Sequence, residues 1–373
     1  MRIGFDAKRA FLNNTGLGNY SRDSIRFLSD YFSTNEYFLY TPNNTTNDRI
    51  SFIKEKRNIT ICTPRSLVNK IFKQFWRSKN IIKDLSNNNI DIYHGLSNEL
   101  PLGIEKTNIK TVVTIHDLIF IRYPHFFKTI DRKIYAKKFK SACERADKII
   151  AVSEQTKKDI INFFNISANK ISVVYQSCNK VFQNETNEYT KQSVIKKYNL
   201  PKNYLLYVGT IEERKNLLTL LKTLKKLPNQ KLVVIGNGRT YKTKCLKFIS
   251  KNKLSERVIF LTKLSLEEMA VIYQLADIMI YPSIFEGFGI PILEALFSKT
   301  PVITTKGGCF LEAGGPNSKY INPLSAEEMK DAIIEIQKCT KTQNNMIENG
   351  LKYAQKFTDD KIAKNLIKIY TNL

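Results

Sequence analysis

The sequence predicts an α/β protein of two doubly wound domains, each a parallel sheet with helices on both faces. Three observations predict it. Short β-branched runs alternate with helical patterns almost throughout, as in βαβ units. The alternation breaks once, at 179–200, where NKVFQNETNEYTKQSVIKKYNL is polar and poor in strand formers. The chain has 373 residues, 42% hydrophobic and 25% charged, enough for two domains of roughly 150–200 residues each.

Taken in order, strands are expected at 2–6, 36–41, 58–62, 91–95, 110–115, 148–152 and 170–175, with helical patterns at 20–31, 67–85, 126–146 and 154–164. After the polar break the strands are 204–208, 231–235, 257–261, 277–281 and 301–304, and the helices lie near 217–227, 241–251, 265–275 and 290–297. Three helical patterns close the chain, near 326–339, 343–356 and 359–370. The domains are therefore set at 1–180 and 201–355, with 181–200 as linker and a last helix in 356–373 packing back on the first domain. Two such sheets facing each other predict a ligand cleft between them, beyond the carboxyl ends of the strands.

Composition narrows the function classes. No apolar run approaches the ~20 residues that span a bilayer. The opening MRIGF reads as a strand and lacks the apolar core of a signal peptide, so a cytoplasmic protein is expected. Six scattered cysteines without a CxxC pair, and only three histidines, speak against a structural zinc site and for free thiols. The net charge of +25 divides into +14 for 1–180 and +11 for the rest. Such a field suits nucleic acid, an anionic membrane or a phosphorylated substrate, and a general richness in Lys, Asn and Ile explains it equally well. The patterns of nucleic-acid modules are missing, so no nucleic-acid partner is expected.

The most informative stretch is DIMIYPSIFEGFGIPILEAL, 277–296. It reads as a buried strand, a glycine turn and a buried helix, with Pro291 suited to the helix's first turn. Glu286, Gly287, Phe288 and Gly289 then occupy the loop at the strand's carboxyl end. Gly287 and Gly289 let backbone approach a ligand, and the helix start offers free N–H groups. Glu286 and Glu294 sit among apolar neighbours, where an unpaired carboxylate costs several kcal/mol. Vicinal sugar hydroxyls would supply donors; local backbone or a lysine is the alternative.

Further stretches bear on the same chemistry. YVGTIEERKNLLTLL, 207–221, is a strand, a turn at Gly209, then a helix opening on Arg214 and Lys215. Two adjacent cations there oppose the helix dipole but suit a diphosphate. TVVTIHDLIFIRYP, 111–124, ends a buried strand at His116 and Asp117; DIYHG places His94 similarly. NNTGLGNYSRDSI, 13–25, puts Gly16 and Gly18 between strand and helix as a nest for a phosphate or acceptor. Gly236 ends another strand, in IGNG. Neither loop completes GxGxxG, which argues against a nicotinamide dehydrogenase. No DxD triplet occurs, so no metal site is expected.

These stretches together resemble the retaining glycosyltransferases of family four. PSIFEGFGIPILEAL carries that family's Glu, seven residues and second Glu at Glu286 and Glu294, with PVITT following in register. The resemblance covers 110–325 well and 30–90 only in general pattern. It implies the GT-B fold, two Rossmann-like domains with an interdomain cleft, a nucleotide-diphosphate sugar as donor (GDP- or UDP-linked) and no cofactor. It implies that Glu286 contacts the donor sugar's hydroxyls, that Glu294 binds the ribose, and that Arg214 and Lys215 hold the pyrophosphate. His116 would lie at the sugar, with the leaving phosphate taking the acceptor's proton. Gly236 would let the base approach. The G-hydrophobic-G-x-Y pattern at Gly16 resembles bacterial mannosyltransferases. Ser298-Lys299-Thr300, Cys309 and Phe310 depart from the family's pattern near the donor.

The function expected is transfer of a hexose, mannose first, to a glycan or lipid-linked acceptor in surface polysaccharide synthesis. A nucleotide-sugar epimerase of the same fold and a non-catalytic basic binding protein are the alternatives. Two basic, aromatic stretches, SLVNKIFKQFWRSKNIIKDL at 66–85 and FFKTIDRKIYAKKFK at 126–140, suit peripheral contact with an anionic membrane at its inner face. Otherwise each helix buries one face in its own core.

Overall fold

The computed structural model describes residues 1–13, 15–44 and 48–373. Contacts divide the chain into two units: Met1–Ser177 together with Phe357–Leu373, and Cys178–Lys356.

The first unit is built on seven parallel strands: β1 Arg2–Asp6, β2 Glu36–Tyr40, β3 Ile59–Cys62, β4 Ile92–Gly95, β5 Lys110–Ile115, β6 Lys148–Ala151 and β7 Ile171–Val173. Their order is β3-β2-β1-β4-β5-β6-β7. Direction of winding reverses between β1 and β4, so a crevice opens there at the carboxyl ends. Side chains alternate between two buried faces. Ile3, Phe5, Leu39, Ile92, Val112 and Ile150 pack on one; Phe38, Tyr93, Val113, Ile115 and Ile149 pack on the other. Burial on both faces is why these strands read as continuous apolar runs. The closing helix Asp359–Thr371 lies against helix Gly16–Tyr31, adding Ile362, Ala363, Leu366 and Tyr370 to the first face. Ser177 Oγ donates to Asp359 Oδ1 at 2.7 Å, and Arg26 pairs with the same carboxylate at 3.5 Å.

The second unit has six parallel strands: β8 Leu205–Val208, β9 Leu232–Ile235, β10 Val258–Leu261, β11 Ile278–Tyr281, β12 Val302–Thr305 and β13 Lys319–Ile321. Their order, β10-β9-β8-β11-β12-β13, reverses between β8 and β11. Leu205, Tyr207, Leu232, Val234, Ile278, Ile280 and Ile303 fill one face of this sheet.

The elements depart from expectation in several places. Residues 181–200, expected as a linker, hold helix Glu188–Tyr198, which is capped by Asn187, ends on left-handed Asn199 and packs on helix Leu266–Gln274. It buries only Val194, so it leaves almost no apolar pattern to detect. Strand β13 is a three-residue edge, too short to stand out. The helix expected over 67–85 is broken. Helix Leu67–Ile71 stops at Phe72 (φ −95°, ψ 56°), and a wide turn at Trp76–Asn80 leads into helix Ile81–Asn87. Trp76 is buried, its Nε1 donating to Asp84 Oδ2 at 2.6 Å, whereas the residues before it do not reach the core.

Candidate active site

The site is assembled at the carboxyl ends of β8, β9 and β11. Gly209 follows β8 with φ +147° and Gly236 follows β9 with φ +153°. A Cβ on Gly236 would stand 1.9 Å from the Gly209 carbonyl oxygen, and one on Gly238 would stand 2.1 Å from that of Ile211. The glycines of this loop are thus required by two backbones in contact, a need within the chain itself that precedes any approach of a base. Beside them opens a groove of about 500 Å³ lined by Thr210, Glu212, Asn237, Arg239 and Tyr241.

Residues Glu213–Lys215 form a single helical turn that ends on Asn216, held at φ +58°. Asn216 Nδ2 donates to the carbonyls of Pro282 (3.2 Å) and Pro323 (2.6 Å), and the Ile284 amide donates to the Arg214 carbonyl at 2.8 Å. The turn is therefore tied to the loop after β11. This brings Arg214 Nη1 to 2.8 Å and Lys215 Nζ to 2.6 Å from one atom, Glu286 Oε1. Both cations therefore pair with a single carboxylate oxygen. Arg214 also donates to the Phe285 carbonyl at 2.5 Å and to Glu212 Oε1 at 2.6 Å. Lys215 donates to Tyr281 Oη at 2.7 Å and lies 4.9 Å from that ring's centre.

Burial alone would raise the Glu286 carboxyl, but Arg214 and Lys215 outweigh it and pull the group down to about 2. Burial also lowers Lys215, with Glu286 opposing in part. The loop continues through Gly287 and buried Phe288 to Gly289, whose φ of +119° opens helix Ile290–Phe297. Cys309 Sγ donates to the Glu286 carbonyl at 3.1 Å. Glu294 is buried in that helix, and Tyr273 Oη donates to its Oε2 at 2.7 Å. Burial and then Glu294 push Tyr273 well up, which keeps the phenol a donor. Both acids thus have protein partners without a ligand: Glu286 has the lysine that stood as the alternative to sugar hydroxyls, together with Arg214, and Glu294 has Tyr273.

The first unit holds His116, Gly16 and Gly18. Gly16 and Gly18 begin helix Gly16–Tyr31, four residues earlier than the pattern suggested. A Cβ on Gly18 would meet the Asn13 carbonyl oxygen at 1.8 Å, while Gly16 is open to solvent. Arg22 Nη1 closes the turn on the carbonyls of Ala10 and Asn13, each at 2.8 Å. His116 is buried at the end of β5, with Nε2 2.9 Å from the Leu96 carbonyl, Nδ1 3.3 Å from Gln176 Nε2, and Tyr20 edge-on at 4.6 Å. Burial lowers its pKa to about 4, so the ring is neutral with Nε2–H donating to Leu96. Both ring nitrogens are engaged, and a sugar contact requires one partner to yield. His94 is a structural group: Nδ1 meets Tyr370 Oη at 2.6 Å and Nε2 meets Thr114 Oγ1 at 2.8 Å.

Asn216, Tyr281 and Glu212 belong to the cluster and were missed. Glu212 was legible as the acid beside two cations in EERK; Asn216 and Tyr281 join only through contacts some 66 positions apart. Among the described residues no group of three or more His, Cys, Asp or Glu could hold a metal ion, and no helix is long and apolar enough to cross a membrane.

Residues 189–353 match the family described as Glycosyl transferases group 1, and residues 29–179 match Glycosyltransferase Family 4. The O-antigen chain mannosyltransferase RfbU of Salmonella typhimurium is 31% identical over 228 residues, 60% of this chain and 60% of that relative's length. O-antigen chain mannosyltransferase B of Escherichia coli is 25% identical over 291 residues, 75% of this chain and 74% of the relative. Among solved structures, a glycosyltransferase from Rickettsia africae superposes with a TM-score of 0.77 at 18% identity, covering 100% of this chain and 98% of that one. HepE of Anabaena with UDP and glucose gives 0.79 at 15% identity over 100% of both chains. These last two establish the fold. With both halves matched in chain order and the paired acids in place, the chain belongs to the group 1 and family 4 glycosyltransferases of GT-B fold.

Proposed function

We propose that this protein is a retaining, metal-independent glycosyltransferase that moves a hexose from a nucleotide-diphosphate sugar to a glycan or lipid-linked acceptor in surface polysaccharide synthesis. The observation that carries this is the convergence of Arg214 and Lys215 on Glu286 at a sheet switch point, beside a groove of about 500 Å³. In the bound state the diphosphate takes the two cations, Arg214 supplying a planar fork and Lys215 a point charge. Glu286, released from them, accepts hydroxyls of the sugar, and Glu294 accepts those of the ribose. Gly209 leaves room beside Lys215, and Gly287, Phe288 and Gly289 carry the chain from Glu286 into helix Ile290–Phe297 beside the donor. His116, Gly16 and Gly18 serve the sugar and acceptor from the first unit.

The bond from the anomeric carbon to the β-phosphate oxygen breaks as the acceptor oxygen bonds the same face. The acceptor's proton passes to the leaving diphosphate, whose charge the two cations stabilise. Mannose is the first candidate because the named relatives RfbU and mannosyltransferase B are mannosyltransferases, which makes GDP the leading nucleotide; UDP is the alternative. Thermal shift with UDP, GDP, ADP and CMP tests this. Stabilisation by GDP or UDP, lost in Lys215→Ala, is expected. No response to any nucleotide would overturn the proposal, and response to GDP alone would favour mannose.

A further inference from the structure

Part of the first unit's surface is apolar, basic and uncovered. Helix Leu67–Ile71 and the turn after it bury no residue. Leu67, Val68, Ile71, Phe72 and Phe75 are half or more exposed, Ile71 at 74% and Phe72 at 61%. The segment therefore does not bury one face in its own core; that work falls to Trp76, Ile81 and Leu85 further along. Between 65 and 83 there are six Lys or Arg and no acid. Helix Thr129–Arg145 repeats the pattern. Ile130 is 73% exposed and Ile134 is exposed too, with six Lys or Arg and one acid between 128 and 140. The two segments meet across Glu99, which Arg77 Nη1 approaches at 2.9 Å and Lys138 Nζ at 3.4 Å. Alongside that helix runs a groove of about 410 Å³, with Phe120, Phe163 and Phe164 lining it below Arg132, Lys137 and Lys140. Arg132 Nε is buried without a hydrogen-bond partner.

We propose that this face docks on the surface of an anionic phospholipid bilayer. Leu67, Ile71, Phe72, Phe75 and Ile130 would enter the boundary between headgroups and acyl chains, and the surrounding cations would meet lipid phosphates. Charge decides among the occupants. A second copy would bring the same dense positive charge against itself. Nucleic acid offers phosphates but no apolar layer to take five exposed side chains. An anionic bilayer offers both, and a docked face would hold the enzyme where a lipid-linked acceptor lies, which deepens the function proposed above.

The test is co-sedimentation of the full chain with vesicles of phosphatidylcholine, alone or mixed equally with phosphatidylglycerol, at low and high salt. Binding to the anionic vesicles alone, weakening with salt, is expected. Phe72→Asp with Phe75→Asp should lower partitioning at least about tenfold, and Lys133→Glu with Lys137→Glu about tenfold or more. All four positions are outside the core, so melting temperature and nucleotide response should match the parent. Vesicle and nucleotide binding are read separately, so either can fail alone. Equal binding to neutral vesicles, no binding, or variants that bind like the parent would overturn the proposal. A concentration-dependent dimer abolished by Phe72→Asp would assign the face to a second copy and also overturn it.

Discussion

Replacing Glu286 with Gln removes one charge and almost no volume, and its consequences can be worked out from the cluster. Glu286 titrates at about 2 in the fold against an ordinary 4.5, so its ionised form gains about 3 kcal/mol. Removing one partner from a buried pair costs a similar ~3–5 kcal/mol. Lys215 returns part of that, because its own burial already works against its charge, and Arg214 keeps Glu212 and the Phe285 carbonyl. A net loss of about 2–3 kcal/mol remains, or roughly 5–10 °C in a unit of this size. A nucleoside diphosphate resupplies the missing negative charge. Its stabilising shift should therefore be larger in Glu286→Gln than in the parent, while transfer falls at least about a hundredfold. Differential scanning fluorimetry with and without GDP and UDP, beside a radiolabelled transfer assay, reads both. A variant with intact fold whose nucleotide shift is smaller than the parent's would refute the claim that Glu286 shields the cations in the free protein.

Lys215→Ala should weaken nucleoside-diphosphate binding about 10–100-fold by calorimetry, the loss of a charge-assisted contact worth roughly 1.5–3 kcal/mol. Gly236→Ala should cost at least about 2 kcal/mol in urea unfolding, because its Cβ would overlap the Gly209 carbonyl; the same change at open Gly16 should be tolerated. Burial holds His94 at about 3 and His116 at about 4, both below the ordinary 6.5. Their lowered values make folding favour the neutral rings, so stability is full above pH 6.5 and declines as pH falls from there toward 4, by up to about 3 kcal/mol for each ring. Glu286 extends the decline below 4.5, down to about 2. Urea midpoints between pH 7 and 4 read the first part of that slope, and a flat profile would contradict the buried neutral histidines.

Most strands were legible because a parallel sheet buried on both faces leaves short runs of strand-forming side chains without polar alternation, such as LLYV, IMIY and VITT. Helix Glu188–Tyr198 was not, since one buried side chain in eleven residues leaves no stripe. The break at Phe72 was hidden for the opposite reason: the spacing of 67–85 is amphipathic throughout, but the apolar side chains before Trp76 do not face the core. In the candidate site, local context and the family resemblance singled out Arg214, Lys215, Glu286 and Glu294, and the structure brings the first three together. What sequence could not supply was their state in the free protein. The acids looked unsatisfied because their partners, Arg214 and Lys215 for Glu286 and Tyr273 for Glu294, arrive from other elements. The two histidines were indistinguishable as strand-end residues, and only the closing helix's Tyr370 shows His94 to be a latch for that helix.

Arg214 and Lys215 face Glu286 and Glu212, so the four charges cancel, and a bare diphosphate gains the cations only by displacing a carboxylate. Once displaced, Glu286 is a nearly buried anion without donors, which costs several kcal/mol unless hydroxyls reach it. A sugar on the diphosphate supplies those hydroxyls; a bare nucleotide does not. The intact donor should therefore bind the parent more tightly than its nucleoside diphosphate, by about tenfold or more for one recovered charge-assisted bond. Glu286→Gln removes both the displacement cost and the anion needing donors, so the preference should shrink toward unity through tighter binding of the bare nucleotide. Calorimetric titration of both ligands into both proteins gives the four constants. A preference that survives in Glu286→Gln would place sugar recognition on other residues, and a parent that prefers the bare diphosphate would mean that Glu286 does not exchange the cations for the sugar.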